Sequence, residues 1–224
     1  MAGGEGVRKQ GLTSTEGSAP KAVRRPRGAP RQLLLEAARD LFARQDYRST
    51  TTRDIAEAAG VAEHLLFRHF GSKAALFHEA LVVPFVDLVD DFRSRWAAYV
   101  AADRNEEEVG FEFTGALYDL FLDQRGLIMT LWSADALNDQ ELADTGIADI
   151  DRALAVIGEL GAEGADLRGL KAQRPDLAAR SMVAMVAGMA AFGSTFFGGA
   201  RPSRDVIVEE LTQATLHGFL HRSH

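Results

Sequence analysis

The stretch Thr51–Phe77, TTRDIAEAAGVAEHLLFRHFGSKAALF, decides the fold because it has the pattern of two short helices joined by a tight turn. Thr51 is a favourable N-cap residue, and Asp54 three residues later completes a capping box. Gly60 stands where a helix commonly ends in a left-handed residue, and Val61 supplies an apolar contact in the turn. The pattern predicts a helix-turn-helix, whose second helix enters the major groove of DNA.

The second helix of this motif has an apolar face and a polar face. Leu65, Leu66 and Phe70 recur at helical spacing and are predicted to face inward. The residues left to face outward, toward the groove, are Glu63, His64, Phe67, Arg68 and His69. Upstream, Leu34, Ala37, Ala38, Leu41 and Phe42 form one stripe of a supporting amphipathic helix, with Tyr47 packed under it.

The pattern T-x-x-D-I-A-x-x-A-G-V, followed by H-F-x-S-K-x-x-L-F, resembles the DNA-binding domain of the TetR family of transcriptional repressors. The resemblance implies an all-α protein with a three-helix DNA-binding domain over residues 31–77. A larger helical domain over 78–224 would then bind an effector and form a homodimer. Three positions depart from the family pattern: Leu65 replaces a small hydroxyl residue, Phe67 replaces a Tyr, and Glu63 adds an acid to the reading face.

Charge is divided unevenly along the 224 residues, whose net charge is −7. Residues 1–77 hold 13 Lys and Arg against 8 Asp and Glu, whereas residues 78–224 hold 12 against 24. A basic leading third suits a phosphate backbone, and an acidic remainder is repelled by it. The absence of cysteine excludes disulfides and thiolate metal sites, and a cytoplasmic location is expected.

Residues 1–30 are predicted to be a disordered basic arm, because they lack apolar periodicity and the apolar segment of a signal peptide. Arg24, Arg25, Arg27 and Arg31 either contact phosphates or the minor groove, or belong to a tail that only aids solubility.

Individual DNA contacts follow from side-chain chemistry and from the resemblance. Arg53, His64 and Arg68 are the candidate base readers, since such side chains reach furthest into the groove. Thr51, His69 and Lys73 are assigned to phosphates, the last two also by the resemblance. Phe67 is expected to pack on sugar or a thymine methyl, and Glu63 either accepts from cytosine or favours the helix start.

In the C-terminal region, a long helix is predicted from Ser72 to about Val100, bent or broken by Pro84. Residues 161–169, GAEGADLRG, are expected to form a loop. Ser181–Ala200 contains no charge, so it is either a membrane span or, because Ala and Gly dominate it, a helix buried between two neighbours. The buried helix is the prediction, and Pro202 and Ser203 are expected to start the last helix.

Two surfaces are predicted there. The aromatic and Met-rich residues that would line an apolar effector cavity are Phe111, Tyr118, Phe121, Trp132, Met185, Met189 and Phe192. Each of them could equally be ordinary core. The resemblance implies that the last two helices form the dimer interface, through Ala184, Gly188, Ala191, Leu211, Ala214 and Gly218.

The sequence therefore predicts a DNA-binding regulator, most simply a repressor released from a palindromic operator by a small apolar effector. The alternative is a dimeric DNA-binding protein without an effector. No phosphate-binding glycine loop or catalytic motif is present, so neither an enzyme nor a cofactor is expected. His217 and His221 share a helix face and His224 follows, but no carboxylate or Cys nearby completes a metal site, and none is predicted.

Overall fold

The computed structural model describes residues 29–45, 47–125, 128 and 143–219, and the regular elements in these ranges are helical, without a β-strand. This confirms the predicted all-α fold. The arm residues 1–28, Trp132, His221 and His224 lie outside the described residues. The helices are α1 (Ala29–Arg44), α2 (Thr52–Ala58), α3 (His64–Phe70), α4 (Lys73–Phe77), α5 (Val83–Ala101), α6 (Glu106–Asp123), α7 (Ile147–Leu167), α8 (Pro175–Phe197) and α9 (Arg204–Gln213), with π-helical turns at His78–Val82 and Ala214–Phe219.

The first three helices form the predicted helix-turn-helix and its support. Thr51 caps α2 through the full capping box with Asp54, and Gly60 has a φ of 62° in the turn that follows. Four residues of the α1 stripe are buried as predicted, and the fifth, Leu41, is half-buried. Tyr47 packs between Phe42 and Phe77 with ring centroids 6.0 and 5.3 Å away. Local capping and core packing therefore agree on the same arrangement.

Helix α1 begins at Ala29, two residues before the predicted boundary of the arm. Pro30 lies in its first turn, where a missing N–H costs nothing because no intrahelical acceptor is available there. The prediction of disorder was therefore wrong for Ala29 and Pro30.

Pro84 neither ends nor breaks the long helix, since helical structure runs from Lys73 to Ala101. The chain widens into the π-helical turn just before Pro84, where the N–H of Val83 bonds the carbonyl of His78. In a regular α-helix, residue 84 would donate to the carbonyl of Ala80, and proline has no N–H to do so. Arg39 of α1 donates its Nε to that carbonyl at 3.0 Å. Because Pro84 has no N–H, the carbonyl of Ala80 is left to accept from Arg39. This hydrogen bond joins α1 to the long helix.

Helices α5 to α9 pack around a second part of the same core. Helix α6 packs against α5, α8 and α9, and α7 packs against α5 and α8. Residues 161–167, predicted as loop, continue α7 instead. The Ala and Glu residues of this segment are strong helix formers, and they outweigh Gly161 and Gly164, each of which costs only about 1 kcal/mol relative to Ala.

Helix α8 contains a stretch, Pro175–Gly193, that is long and apolar enough to cross a membrane by length and composition. In the folded chain it packs on α6 and α7, with Met182, Val186 and Ala190 in the core. This is the packing expected of a core helix, as the sequence analysis predicted.

Gly146, which precedes α7, fits closely against the π-helical turn. Its φ is 76°, and a Cβ added there would lie 2.0 Å from Cδ2 of His78. Gly169 has a similar φ of 72° with open space around it. The two glycines share the left-handed backbone and differ in their surroundings.

We therefore expect Gly146→Ala to destabilise the protein more than Gly169→Ala. The left-handed conformation costs a residue with a Cβ about 1–2 kcal/mol at either position. The clash with His78 adds about 1–3 kcal/mol at position 146 only. Urea unfolding of both variants measures the difference, and equal losses would show that the α7 start is not tightly packed on the π-helical turn.

Candidate nucleic-acid interface and ligand cavity

Helix α3 presents the outward face that its sequence predicts. Leu66 and Phe70 are buried and Leu65 is half-buried, whereas Glu63, His64, Phe67, Arg68 and His69 are exposed. Phe67 is 49% exposed, an unusual state for a large apolar side chain. His64, Phe67 and Arg68 follow i, i+3, i+4 spacing and share one face. This face carries an apolar ring between cationic or hydrogen-bonding groups.

Glu63 is held within the protein. The hydroxyl of Thr52 on α2 donates to its Oε1 at 2.6 Å. This bond joins the starts of the two helices of the motif. It gives Glu63 a bracing role, and the Glu63 side chain makes no cap bond to α3. The two roles expected from the sequence, a contact with cytosine or a favourable charge at the helix start, stay predictions.

Lys73 connects α4 to the chain that enters α2. Its Nζ donates to the carbonyls of Tyr47 at 2.8 Å and Thr50 at 3.0 Å, and lies 4.1 Å from the Tyr47 ring centroid. An ammonium has three donors, so these carbonyls occupy most of its capacity. This geometry gives Lys73 a structural role, because it joins the start of α4 to the segment before α2. No local pattern in the sequence predicts this role. Its assignment to a phosphate stays a prediction.

The remaining predicted DNA contacts are placed on exposed surface. Thr51 uses its side chain in the capping box, while Arg53 lies exposed on α2 beside Asp54. A hydrogen bond from Thr51 is the main reason why the pKa of Asp54 lies below its ordinary value. Asp54 therefore stays ionised at the start of α2, where the helix dipole favours a negative charge.

A cavity of about 380 Å³ lies between α5, α6 and α7, is bordered by α8 and the last π-helical turn, and opens to the surface. This volume is in the range of small-molecule sites. Most of its wall is apolar. Gly161 leaves open space along α7, and Gly164 lets the Trp96 ring approach closely. The principal wall residues are Val89, Phe92, Trp96, Val109, Phe113, Ile157, Leu160, Met182 and Leu216.

The predicted lining residues that are described do not border this cavity. Tyr118 and Phe121 are buried in the core, where Phe121 stacks on Phe85 and the Tyr118 hydroxyl accepts a hydrogen bond from Arg201. Phe111, Met185, Met189 and Phe192 pack half-buried against that core. The prediction failed for these residues because residue type does not say which side of a helix faces a void.

Some predicted dimer residues are exposed and others are buried. Ala184 and Ala214 are exposed and Gly188 has open space around it. Ala191 and Leu211 are buried within the protomer, at 5% and 3% exposure, so their side chains are not available to a partner. Gly218 lies in the last π-helical turn.

A charged network ties α5 to α6 at the cavity rim. Glu112 accepts from the Tyr99 hydroxyl at 2.8 Å, from Arg104 at 3.0 Å and from Arg95 at 2.6 Å. The hydrogen bond from Tyr99, followed by those from Arg104 and Arg95, lowers the pKa of Glu112 despite some desolvation. Ionised Glu112 therefore stabilises the contact between the two helices.

Comparisons with known proteins agree with this arrangement. A sequence model described as "Bacterial regulatory proteins, tetR family" matches residues 34–80. The HTH-type transcriptional repressor KstR2 of Rhodococcus jostii is 43% identical over 60 residues, 27% of this chain and 29% of that protein. The sequence match thus covers less than a third of this curated relative's length.

Solved structures cover much more of the chain. The fatty acid degradation regulator FadR from Bacillus halodurans aligns with a TM-score of 0.66 at 18% identity, over 88% of this chain and 100% of that one. A protein from Saccharomonospora viridis, solved in complex with choline, aligns with a TM-score of 0.58 at 25% identity, over 86% and 98%. The whole described fold, not only its first helices, is therefore shared with such regulators.

We expect Glu112→Gln to remove a pH-dependent part of the stability. Since the pKa of Glu112 is lowered by folding, its contribution is complete above the ordinary Glu value of about 4.3 and is lost as pH falls through the lowered value. The stability difference between wild type and variant should therefore shrink on acidification. Chemical unfolding between pH 3 and 7 measures it.

Glu108→Gln is the matched control, because Glu108 has one contact with Arg104, at 3.9 Å. A Glu112→Gln difference that stays constant from pH 7 to 3, as a simple packing loss would, contradicts the assignment.

Proposed function

Because the chain belongs to the TetR family of bacterial regulatory proteins, we propose that it is a cytoplasmic DNA-binding repressor that recognises a palindromic operator. The exposed α3 face with Phe67 at its centre is the observation that carries the proposal. An exposed Phe on a surface otherwise built of His and Arg suits a groove, where it can contact sugar or a thymine methyl. The name of the R. jostii relative as a repressor supports the same direction of regulation.

Two contacts within the motif support the DNA-binding proposal, because they fix the position of α3 and leave its outer face exposed. Glu63 ties the motif to Thr52, and Lys73 ties it to the loop before α2. Arg53, His64, Arg68 and His69 stay exposed for phosphates and base edges. A recognition surface held in advance loses less conformational entropy on binding DNA.

A palindromic operator requires a dimer with two such surfaces. Leu177, Ala184, Gly188 and Thr195 fall on one outward face of α8, at spacings of 7, 4 and 7 residues. Leu177 is 50% exposed, and Gly188 has room over it for a close approach. We assign this face, together with exposed Val206 and Ala214 of the last helical segment, to the homodimer contact.

The cavity supports an effector-responsive repressor over a protein that only dimerises. A cavity of about 380 Å³ with apolar walls is a costly feature for a scaffold, because apolar side chains left in contact with water lose the free energy of burial. The S. viridis protein of similar fold holds a small molecule. We infer that a small effector occupies the cavity of this chain.

A continuous path of contacts leads from the cavity to the DNA-binding end. Helix α7 borders the cavity through Ile157, Leu160 and Gly161, and in its first turn Asp149 accepts from Nε2 of His78 at 2.7 Å. His78 opens the π-helical turn, whose Glu79 pairs with Arg31 and whose Ala80 carbonyl binds Arg39. A ligand that displaces α7 thereby shifts α1, and it releases DNA by binding one state better than the other.

The DNA-binding proposal predicts that Arg68→Ala weakens operator binding by about 1–3 kcal/mol and relaxes discrimination at one base position. Arg93→Ala, which removes an exposed Arg of α5, is the matched control and should leave both unchanged. Fluorescence anisotropy with the selected operator and its single-base variants measures both. Equal effects of the two substitutions would show that the α3 face does not read DNA.

The coupling proposal predicts that a side chain placed in the cavity imitates the effector. Space is open around Gly161, so Gly161→Phe should fill part of the cavity and lower operator affinity about fivefold or more, the lower end of common allosteric couplings. Gly161→Ala controls for the change in helix propensity. A folded Gly161→Phe variant with wild-type operator affinity would contradict coupling between cavity and DNA.

A further inference from the structure

The charged residues around the cavity are the starting point for its ligand chemistry. They are Asp103, Arg104, Glu106 and Arg168, at the ends of α5, α6 and α7. Arg168 pairs with Glu106 at 2.5 Å and also donates to the Gly164 carbonyl at 2.9 Å. Asp103 is exposed to solvent.

Arg104 is equally engaged. It binds Glu112 at 3.0 Å, approaches Glu108 at 3.9 Å and lies 4.8 Å from the centroid of the Tyr99 ring. An anionic ligand would have to displace Glu106 or Glu112 to gain an arginine. A cationic ligand would find one carboxylate of the wall outside these pairs, that of Asp103, but this group is exposed to solvent and a pair with it would contribute little. A cationic group placed deeper would lie against the apolar wall. The cavity therefore disfavours a charge of either sign.

The hydroxyl groups of the wall differ in their availability. Thr212 donates to the Val208 carbonyl and Thr215 to the Leu211 carbonyl, both at 2.8 Å. Thr114 is 3% exposed and lines the cavity, and its hydroxyl makes no hydrogen bond among the residues that the structure describes. Since it is not among the enclosed side-chain atoms without a partner, this hydroxyl keeps some accessible surface that a ligand in the cavity can reach. In a helix it could bond the carbonyl one turn back, and here it does not.

Trp96 gives the same wall a second donor without a partner. Its indole N–H is buried and unbonded within the described part of the chain. Since this N–H has almost no accessible surface, a ligand in the cavity does not reach it, and the Thr114 hydroxyl is the unbonded donor that the described wall offers. This group is neutral, and one oxygen acceptor of a ligand satisfies it.

We propose that the effector is an uncharged, mostly apolar molecule with a hydroxyl or carbonyl oxygen that hydrogen-bonds Thr114. The inference rests on the proposed role of this cavity as the effector site, and it adds the charge class of the ligand and its polar anchor. Thr114 discriminates among apolar molecules by this bond, while acids find both rim arginines already paired and amines find only the solvent-exposed Asp103.

Three probes with the same carbon chain test the charge class: octan-1-ol, octanoate and octylammonium at pH 7. Calorimetric titration of the full chain without DNA should give octan-1-ol an affinity at least tenfold higher than either ion. Octanoate or octylammonium binding as tightly as octan-1-ol, or no binding of octan-1-ol to the folded protein, would overturn the proposal.

Variants of Thr114 test the anchor. Thr114→Val keeps the shape and removes the hydroxyl, and should weaken octan-1-ol binding about three- to tenfold, the worth of one neutral hydrogen bond. Thr114→Ser should restore it, and circular dichroism checks that both variants fold. Unchanged affinity in Thr114→Val would refute the anchor. Failure of the repressor proposal would appear separately, as absent operator binding with intact octan-1-ol binding.

Discussion

The bond between the Lys73 ammonium and the carbonyls of Tyr47 and Thr50 is the constraint on which the DNA-binding end depends. It joins the first turn of α4 to the segment just before α2, so that α3, which lies between them in the chain, is held from both sides. Thr50 is fully buried, and its carbonyl would be left without this charge-assisted partner if Lys73 were removed. The stacked Tyr47 ring adds a cation–π contact and connects the bond to the core formed by Phe42 and Phe77.

From α4 the same helix carries the constraint into the rest of the protein. Pro84 prevents a regular helix at the point where the two halves meet, and the π-helical turn that results offers the Ala80 carbonyl to Arg39 and the His78 ring to Asp149. A π-helical turn within a long helix commonly marks a functional position. Here it is where α1 and α7 contact one segment. A movement of α1 or of α7 is therefore transmitted to the other helix through this turn.

Much of the fold follows from the sequence because local signals agree with one another. The capping box at Thr51, the glycine at position 60 and the cap at Ser72 each define a helix end by short-range hydrogen bonds, and the structure has all three. The outward set of α3 followed from helical periodicity alone. The cap at Ser203 was likewise predictable from a short run of residues.

The cavity was not predictable in the same way. Its walls depend on how α5, α6 and α7 are rotated against each other, and aromatic residues such as Phe121 and Phe92 look alike in sequence although one is packed in core and the other borders a void. Gly161 and Gly164 are a sequence signal for the cavity, since two glycines one turn apart leave one face of a helix without side chains. The glycine content of this segment predicts a loop instead. The Lys73 and Glu63 bonds join residues 26 and 11 positions from their partners, beyond local patterns.

The most direct test of the central claim is selection of double-stranded DNA from a random library by the purified 224-residue chain. A homodimer with two α3 surfaces should recover an inverted repeat whose half-sites are centred one helical turn, about 34–36 Å, or a multiple of it apart. Recovery of no preferred sequence, with only salt-dependent retention of DNA, would contradict the account.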